Sequence, residues 1–379
     1  MSFTKTAFIH SEEIERYHYP DMCPFKTERA GMTKSLLKSM GLFGGGNSFE
    51  AAPVAITEKE ANQFHTKRYL NILKRISTTG DMKSDDFFYG LGTEETPVFY
   101  DLFPYSMLAA GATVTGARLL LEGAAGRVFN PSGGYHHALP EKAGGFCYIN
   151  DIALGCKTLA KAGKRVLCLD LDAHHGNGTQ HAFYKNSDVF TISIHESGKS
   201  LYPWGGFEDE IGEGRGAGYN VNIPIPPGTD DDAYLFIFET LVPPLIEFYD
   251  PDVIVCEIGM DILAGDPLTH LNMTNNVFAE ILPDIMQLNK PMLVTGGGGY
   301  IPRKTARGWA LVWTILNDME SAIEEPLGMG GVFLGSNEWQ GGLRDMRVYS
   351  RGTKHSRIHT EIAETIRKIE STVFKMHKI

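Results

Sequence analysis

Short, almost wholly apolar runs punctuate the chain at 6–9, 127–130, 166–171, 189–194, 253–257 and 292–295. They lack the polar alternation of a strand with one wet face, so they predict strands buried on both faces of a parallel sheet. Between them, apolar residues recur at helical spacing over 26–40, 58–75, 104–121, 150–162, 231–248, 275–288 and 305–316. Thr57 with Glu60 forms a capping box at the start of the second of these. Strand alternating with helix predicts a doubly wound α/β domain, with a mostly parallel central sheet and helices on both faces. No internal repeat is visible. The stretch 41–48, GLFGGGNS, reads as a flexible loop, 328–342 as glycine-rich and irregular, and 356–377 as a C-terminal helix. Beyond about 320 the pattern is less distinctive and too loop-rich for its own core. One domain over 1–379 is therefore expected.

Composition narrows the function classes. Hydrophobic residues make up 42% and charged residues 21% of the 379, an ordinary globular balance. The formal charge is −11 and the basic residues form no long block, which disfavours direct nucleic-acid binding. An acidic surface instead attracts cationic partners such as lysine-bearing peptides or polyamines. The five cysteines are odd in number and include no C-x-x-C, so neither a disulfide framework nor a thiolate zinc knuckle is expected. No signal peptide and no membrane-length apolar run is read. A soluble protein of a reducing compartment, the cytoplasm, is the expectation.

The chemistry-bearing residues lie at the carboxyl ends of the strands, where open α/β sheets bind ligands. In LDLDAHHGNG (169–178), Asp170, Asp172 and His174 share parity, so an extended chain points them to one side. Two carboxylates and an imidazole suit zinc or a similar divalent ion; the other reading is a polar strand end capping the next helix. Asp261, in GMDILAGDPL, can complete a three-ligand site that leaves a position for water, or can cap a helix. His136 and His137, in GGYHHA, are candidates for general base and acid, or an ordinary pair of core or surface histidines. TGGGGY (295–300) lacks the ending of a phosphate loop and the spacing of a dinucleotide fingerprint. It reads better as a turn bringing Tyr300 near the metal, where a phenol can donate to an oxyanion.

Taken in order, GGYHHA, GFCYIND (145–151), DLDAHHGNG, SIH (193–195), GMDILAGDPL and GGGGY resemble the zinc-dependent histone deacetylase family, of the arginase–deacetylase fold. YHYPDMCPFKTERAGMT (17–33) extends the resemblance, which covers roughly the first 320 residues. The class I-like and bacterial acetoin-utilisation branches look most similar. The resemblance implies zinc held by Asp172, His174 and Asp261. It implies His137 as general base and acid, His136 as its electrostatic partner paired with Asp170, and Tyr300 as the residue polarising the carbonyl. It makes Phe146 and Tyr202 the walls of an acyl-lysine channel. Gly145 is then the carbonyl meeting the lysine N–H, Leu268 a rim residue, and Glu95 a grip on the substrate backbone. It also implies structural potassium. One site would use Asp170, Asp172, His174, Ser193 and Ile194, and the other Phe183, Asn186, Val189 and Tyr219.

Three positions depart from the family pattern. Asn177 stands where class I members have an aspartate bonded to the second histidine, which leaves His137 easier to keep neutral. Tyr135 replaces a smaller aliphatic residue near the pocket floor. Pro267 replaces an arginine of the inositol-phosphate site, of which Lys26 and Arg303 remain. These point away from a chromatin corepressor enzyme and toward a bacterial-type deacylase of acyl-lysine proteins or peptides. Acetylpolyamine hydrolysis at the same site is the alternative. A dimanganese ureohydrolase would want a further aspartate where Gly176 and Asn177 stand, and a non-catalytic binding module would not need both histidines and the tyrosine.

Overall fold

The computed structural model describes residues 5–45, 47–319, 342–347 and 350–379. Apart from Gly342, the glycine-rich stretch 328–342 lies outside the described residues. Among those described, the strands are β1 (Thr6–Ile9), β2 (Ser48–Ala51), β3 (Arg127–Asn130), β4 (Val166–Asp170), β5 (Val189–Glu196), β6 (Asn220–Ile225), β7 (Val253–Glu257) and β8 (Met292–Thr295). They form one sheet in the order β2-β1-β3-β8-β7-β4-β5-β6. Every neighbouring pair is parallel.

Strand parity sorts the core into two layers, because successive side chains point to opposite faces. Phe8, Phe129, Leu167, Leu169, Ile254, Cys256 and Val294 pack on one side with residues of the helices Asp231–Tyr249, Asn276–Gln287, Pro302–Leu316 and Gly352–Ile369. Ala7, Ile9, Val128, Val166, Cys168, Val255 and Leu293 pack on the other with Lys67–Thr79, Leu102–Leu121 and Asp151–Lys161. Full burial of each large apolar side chain stabilises by about 1.5–3 kcal/mol. The buried indoles of Trp309 and Trp313 also find partners, donating to the carbonyls of Ile258 (3.0 Å) and Leu42 (3.1 Å).

The structure departs from the pattern at several elements. The expected helix 58–75 is two. Thr57 caps Glu58–Ala61 with a complete capping box, then Thr66 caps Lys67–Thr79. Tertiary bonds cause the break: Thr66 N–H donates to the Pro140 carbonyl, and buried His65 accepts from the Asn150 N–H. Ser48, expected in a loop, opens edge strand β2, whose half-exposed SFEA carries no apolar run. The opposite edge, β6, reads NVNIPI and was hidden by its polar positions, though all six residues are buried. An edge position also tolerates Pro224. The helix Asn177–Phe183 adds a further element, and the C-terminal helix starts at Gly352 and passes through a π-type turn at Glu370–Phe374.

Candidate active site

A row of buried polar residues crosses the carboxyl ends of five adjacent strands. Asn130 is in register with Thr295, Thr295 with Glu257, Glu257 with Asp170, and Asp170 with Ser193. Asn130, Thr295, Glu257 and Asp170 are the last residues of their strands, Ser193 lies three residues before the end of β5, and the loops that follow carry most of the remaining site residues.

Asp170, Asp172 and His174 do not share one direction as strand parity suggested, because β4 stops at Asp170. Asp170 turns to His136, with 3.0 Å between Oδ2 and Nδ1. Asp172 and His174 converge instead on Asp261: His174 Nδ1 lies 2.8 Å from Asp261 Oδ2 and 3.3 Å from Asp172 Oδ1. One ligand atom from each of Asp172, His174 and Asp261 lies within 4.8 Å of the others. Backbone N–H groups orient the carboxylates: Gly298 donates to Asp172 Oδ2 (2.6 Å) and Ala173 to Asp261 Oδ1 (3.1 Å). Gly298 must lack a side chain, since a Cβ there would sit 1.9 Å from Asp261 Oδ2. Burial and then repulsion by Asp172 lift the Asp261 carboxyl to about 7. Against its burial, hydrogen bonds with Asp172 and Asp261 hold His174 at about 10. Two buried carboxylates and an imidazole with fixed outer partners fit a divalent cation of the zinc type. His136, Asp172 and Glu257 form a second group of the same spread, but there the His136 Nδ1 is 3.1 Å from Glu257 Oε1 and engaged by it.

The histidine loop is pinned from below. The buried Asp151 carboxylate accepts from Gly134 N–H (3.1 Å) and Tyr135 N–H (2.7 Å), and Asn150 Nδ2 donates to the carbonyls of His136 and Ala138. The two Nε2 atoms of His136 and His137 come to 3.2 Å. Against burial, Glu257 and then Asp170 raise the His136 pKa well above its usual value, which favours its imidazolium form. Burial, then His136 and His174, depress that of His137. His137 Nδ1 lies 2.9 Å from Asn177 Oδ1. With that N–H donating, the lone pair of His137 is on Nε2, as a general base needs, and it lies 3.2 Å from His136 Nε2. Changing Asn177 to Asp should raise the His137 pKa by about one unit or more. The acid limb of the kcat/KM profile would move to higher pH by that amount. An unmoved limb would mean that another group sets it.

Tyr300 closes the opposite side. Its N–H donates to Asp266 Oδ2 (2.8 Å), and its ring centroid lies 6.4 Å from that of His174 and 5.6 Å from that of Phe146. Tyr202 packs 5.0 Å from His137, ring to ring. Gly145 has a φ of 50°, and a Cβ there would strike the His137 ring at 2.2 Å. The Phe146 N–H donates to the Glu95 carbonyl (3.0 Å), with Glu95 Oε2 3.5 Å from Gly145 N. The Leu268 N–H donates to Asp266 Oδ1, so Asp266 ties this rim residue to Tyr300. Tyr135 is buried, with its hydroxyl 2.8 Å from that of Tyr105.

The residues of the first potassium set are neighbours: Ser193 faces Asp170 across β4 and β5, and its hydroxyl lies 2.8 Å from His195 Nδ1. Those of the second surround the turn into β5. Asn186 N–H donates to the Phe183 carbonyl, Asn186 Oδ1 accepts from Val189 N–H, and Tyr219 stands one strand away.

Sequence reasoning gave no role to Glu257, Asn150, Asp151 or Asp266. Glu257 had a signal: it is a charge closing an otherwise apolar run, VIVCE, and its carboxylate is buried. The other three act through backbone bonds, which depend on where the loops fold.

Residues 23–316 match the family model for the histone deacetylase domain. The acetoin utilization protein AcuC of Bacillus subtilis is 36% identical over 330 residues, 85% of this chain and 84% of that one. The histone deacetylase RPD3 of Saccharomyces cerevisiae is 35% identical over 317 residues, 83% of this chain and 72% of that one. The crystal structure of an HDAC homolog from Aquifex aeolicus superposes with a TM-score of 0.83 at 32% identity, covering 97% of this chain and all of that one. An HDAC homolog complexed with SAHA gives the same values.

Proposed function

The chain belongs to the histone deacetylase family, a family of hydrolases, and from that premise we propose that it is a zinc-dependent lysine deacylase acting on proteins or peptides. One observation carries this reading. The Asp172–His174–Asp261 cluster lies beneath two rings of different chemistry, His137 and Tyr300, whose centroids are 5.9 and 6.4 Å from that of His174. Phe146 packs on Tyr300 and Tyr202 on His137, and these two aromatic rings are the walls proposed for the acyl-lysine channel.

Bound by Asp172, His174 and Asp261, zinc would supply Lewis acidity toward water and the acyl oxygen. The chain's own groups do the rest. Neutral His137 takes a proton from the attacking water and returns it to the departing amine, releasing free lysine and a carboxylate. His136, held as an imidazolium between Asp170 and Glu257, adds positive charge where negative charge develops. The Tyr300 phenol donates to the acyl oxygen. Burial, then Asp261 and Asp172, raise its pKa well above the usual range, so it stays protonated. The aromatic walls align the substrate and exclude bulk water.

Potassium at the Asp170–Ser193 region and at the Phe183–Val189 turn belongs to the same proposal, as does a cytoplasmic setting. All five cysteines are free and buried, which supports a reducing compartment. No described helix is long and apolar enough to cross a membrane.

The test is a panel of acetyl-, propionyl-, butyryl- and longer acyl-lysine peptides beside acetylated spermidine, run with zinc and potassium. The expected outcome is a kcat/KM for acetyl-lysine peptide at least tenfold above that for the polyamine. The reverse order would assign the same site to acetylpolyamines.

A further inference from the structure

Beyond Tyr202 the chain makes a turn that ends on an exposed tryptophan. Trp204 has a φ of 64° and is 65% exposed. A bulky residue in the left-handed region is sterically disfavoured, and such positions gather at functional sites. The turn itself is fixed. Trp204 N–H donates to the Leu201 carbonyl (3.1 Å), and the N–H groups of Gly206 and Phe207 both donate to Glu210 Oε1 (2.9 Å each). Gly198 packs so closely that a Cβ there would meet the Gly205 carbonyl at 2.4 Å. Among the described residues, no ring contact or side-chain hydrogen bond engages the indole.

Its position is set by Tyr202, whose ring packs on His137. Two residues of chain span at most about 7 Å, so the Trp204 backbone lies within that distance of Tyr202, on the solvent side of a ring that packs on His137. The other wall is built on the same principle. Phe146 also has a left-handed backbone, with a φ of 66°, and bonds the segment that exposes Glu94 and Glu95. Glu95 Oε2 lies 3.5 Å from Gly145 N, and a Cβ on neighbouring Gly144 would lie 2.8 Å from the Tyr202 hydroxyl, so an exposed carboxylate and an exposed indole both neighbour Tyr202, a setting that favours a cation.

We propose that Trp204 is a specificity-determining residue, whose indole binds the peptide residue flanking the acyl-lysine and favours arginine or lysine there. This rests on the lysine-deacylase reading and deepens it. An acyl-lysine held between Phe146 and Tyr202 brings its own backbone, and so its neighbours in sequence, to this setting. Free acetyl-lysine amide has no such neighbour.

The test compares wild type with Trp204→Gly on an acetyl-lysine peptide with arginine flanks, the same peptide with aspartate flanks, free acetyl-lysine amide, and acetylated spermidine. Exposed cation–indole contacts imply that the kcat/KM ratio of the arginine-flanked peptide to the amide falls about three- to fivefold, carried by KM. The preference for arginine over aspartate flanks should shrink with it. Glycine accepts the left-handed backbone, so the variant should melt no lower than wild type. An unchanged ratio, an equal loss on every substrate, or a loss confined to acetylated spermidine would each overturn the proposal. Failure of the parent reading looks different: wild type would be inert on all three acetyl-lysine substrates.

Discussion

Replacing Tyr300 with phenylalanine should lower kcat by about 10²- to 10³-fold, the effect of removing one preorganised oxyanion donor. Zinc content should stay at wild-type level, because the proposed ligands are Asp172, His174 and Asp261, and Tyr300 keeps its backbone bond to Asp266 whether or not it carries a hydroxyl. The fold should also hold. The ring keeps its place 5.6 Å from Phe146, and its backbone bond to Asp266 does not involve the hydroxyl. Single-turnover rates and metal analysis on the same preparation check both parts. Near-normal turnover would take the phenol out of the mechanism, and lost zinc would make it a structural support of the metal site.

Asp261→Asn should produce the other large effect, with opposite signs for function and for metal-free stability. Losing one charged ligand should cut zinc affinity by tenfold or more and activity with it. In metal-free protein, however, Asp261 is a buried carboxylate facing Asp172, which is why its pKa rises to about 7. A carboxyl raised above its unfolded value contributes stability that is full at low pH. That stability is lost as pH climbs through about 7. The asparagine variant has no such loss. Metal-free Asp261→Asn should therefore melt above metal-free wild type at pH 8, and the gap should close toward pH 4. With zinc bound the order should reverse, because only wild type gains strongly from the ligand. Melting curves at the two pH values, with and without chelator, decide it. A lower melting temperature for the metal-free variant at pH 8 would mean that Asp261 stabilises the fold without metal.

The sheet was legible where strands were short and wholly apolar, because burial on both faces leaves that mark in composition. It was illegible at its edges. β2 is half-exposed and β6 carries Asn220, Asn222 and Pro224, so neither shows an apolar run. The split at Thr66 was invisible because a buried histidine and the distant Pro140 carbonyl cause it. At the site, the residue types that do chemistry stood out, and the structure brings together Asp172, His174 and Asp261, with His136, His137 and Tyr300 around them. Their orientation did not stand out. Parity alone grouped Asp170 with the ligands, while the family resemblance paired it with His136; the chain leaves β4 at that residue and its carboxylate meets His136. Neither the exposure nor the backbone conformation of Trp204 is written in the sequence.

The polar row from Asn130 through Thr295, Glu257 and Asp170 to Ser193 also fixes when the metal centre can come into being during folding. Its members lie far apart along the chain and meet only through parallel pairings, each of which must close a long loop first. Asp172 and His174 are joined locally, His174 N–H donating to Asp172 Oδ1 at 2.8 Å, but Asp261 can join them only once β7 has paired with β4. The complete three-residue cluster is thus a late product of the folding reaction, with only the Asp172–His174 pair formed locally. Zinc captured there should slow the return to the unfolded chain and leave the forward rate little changed. The ion then acts as a latch on a finished sheet.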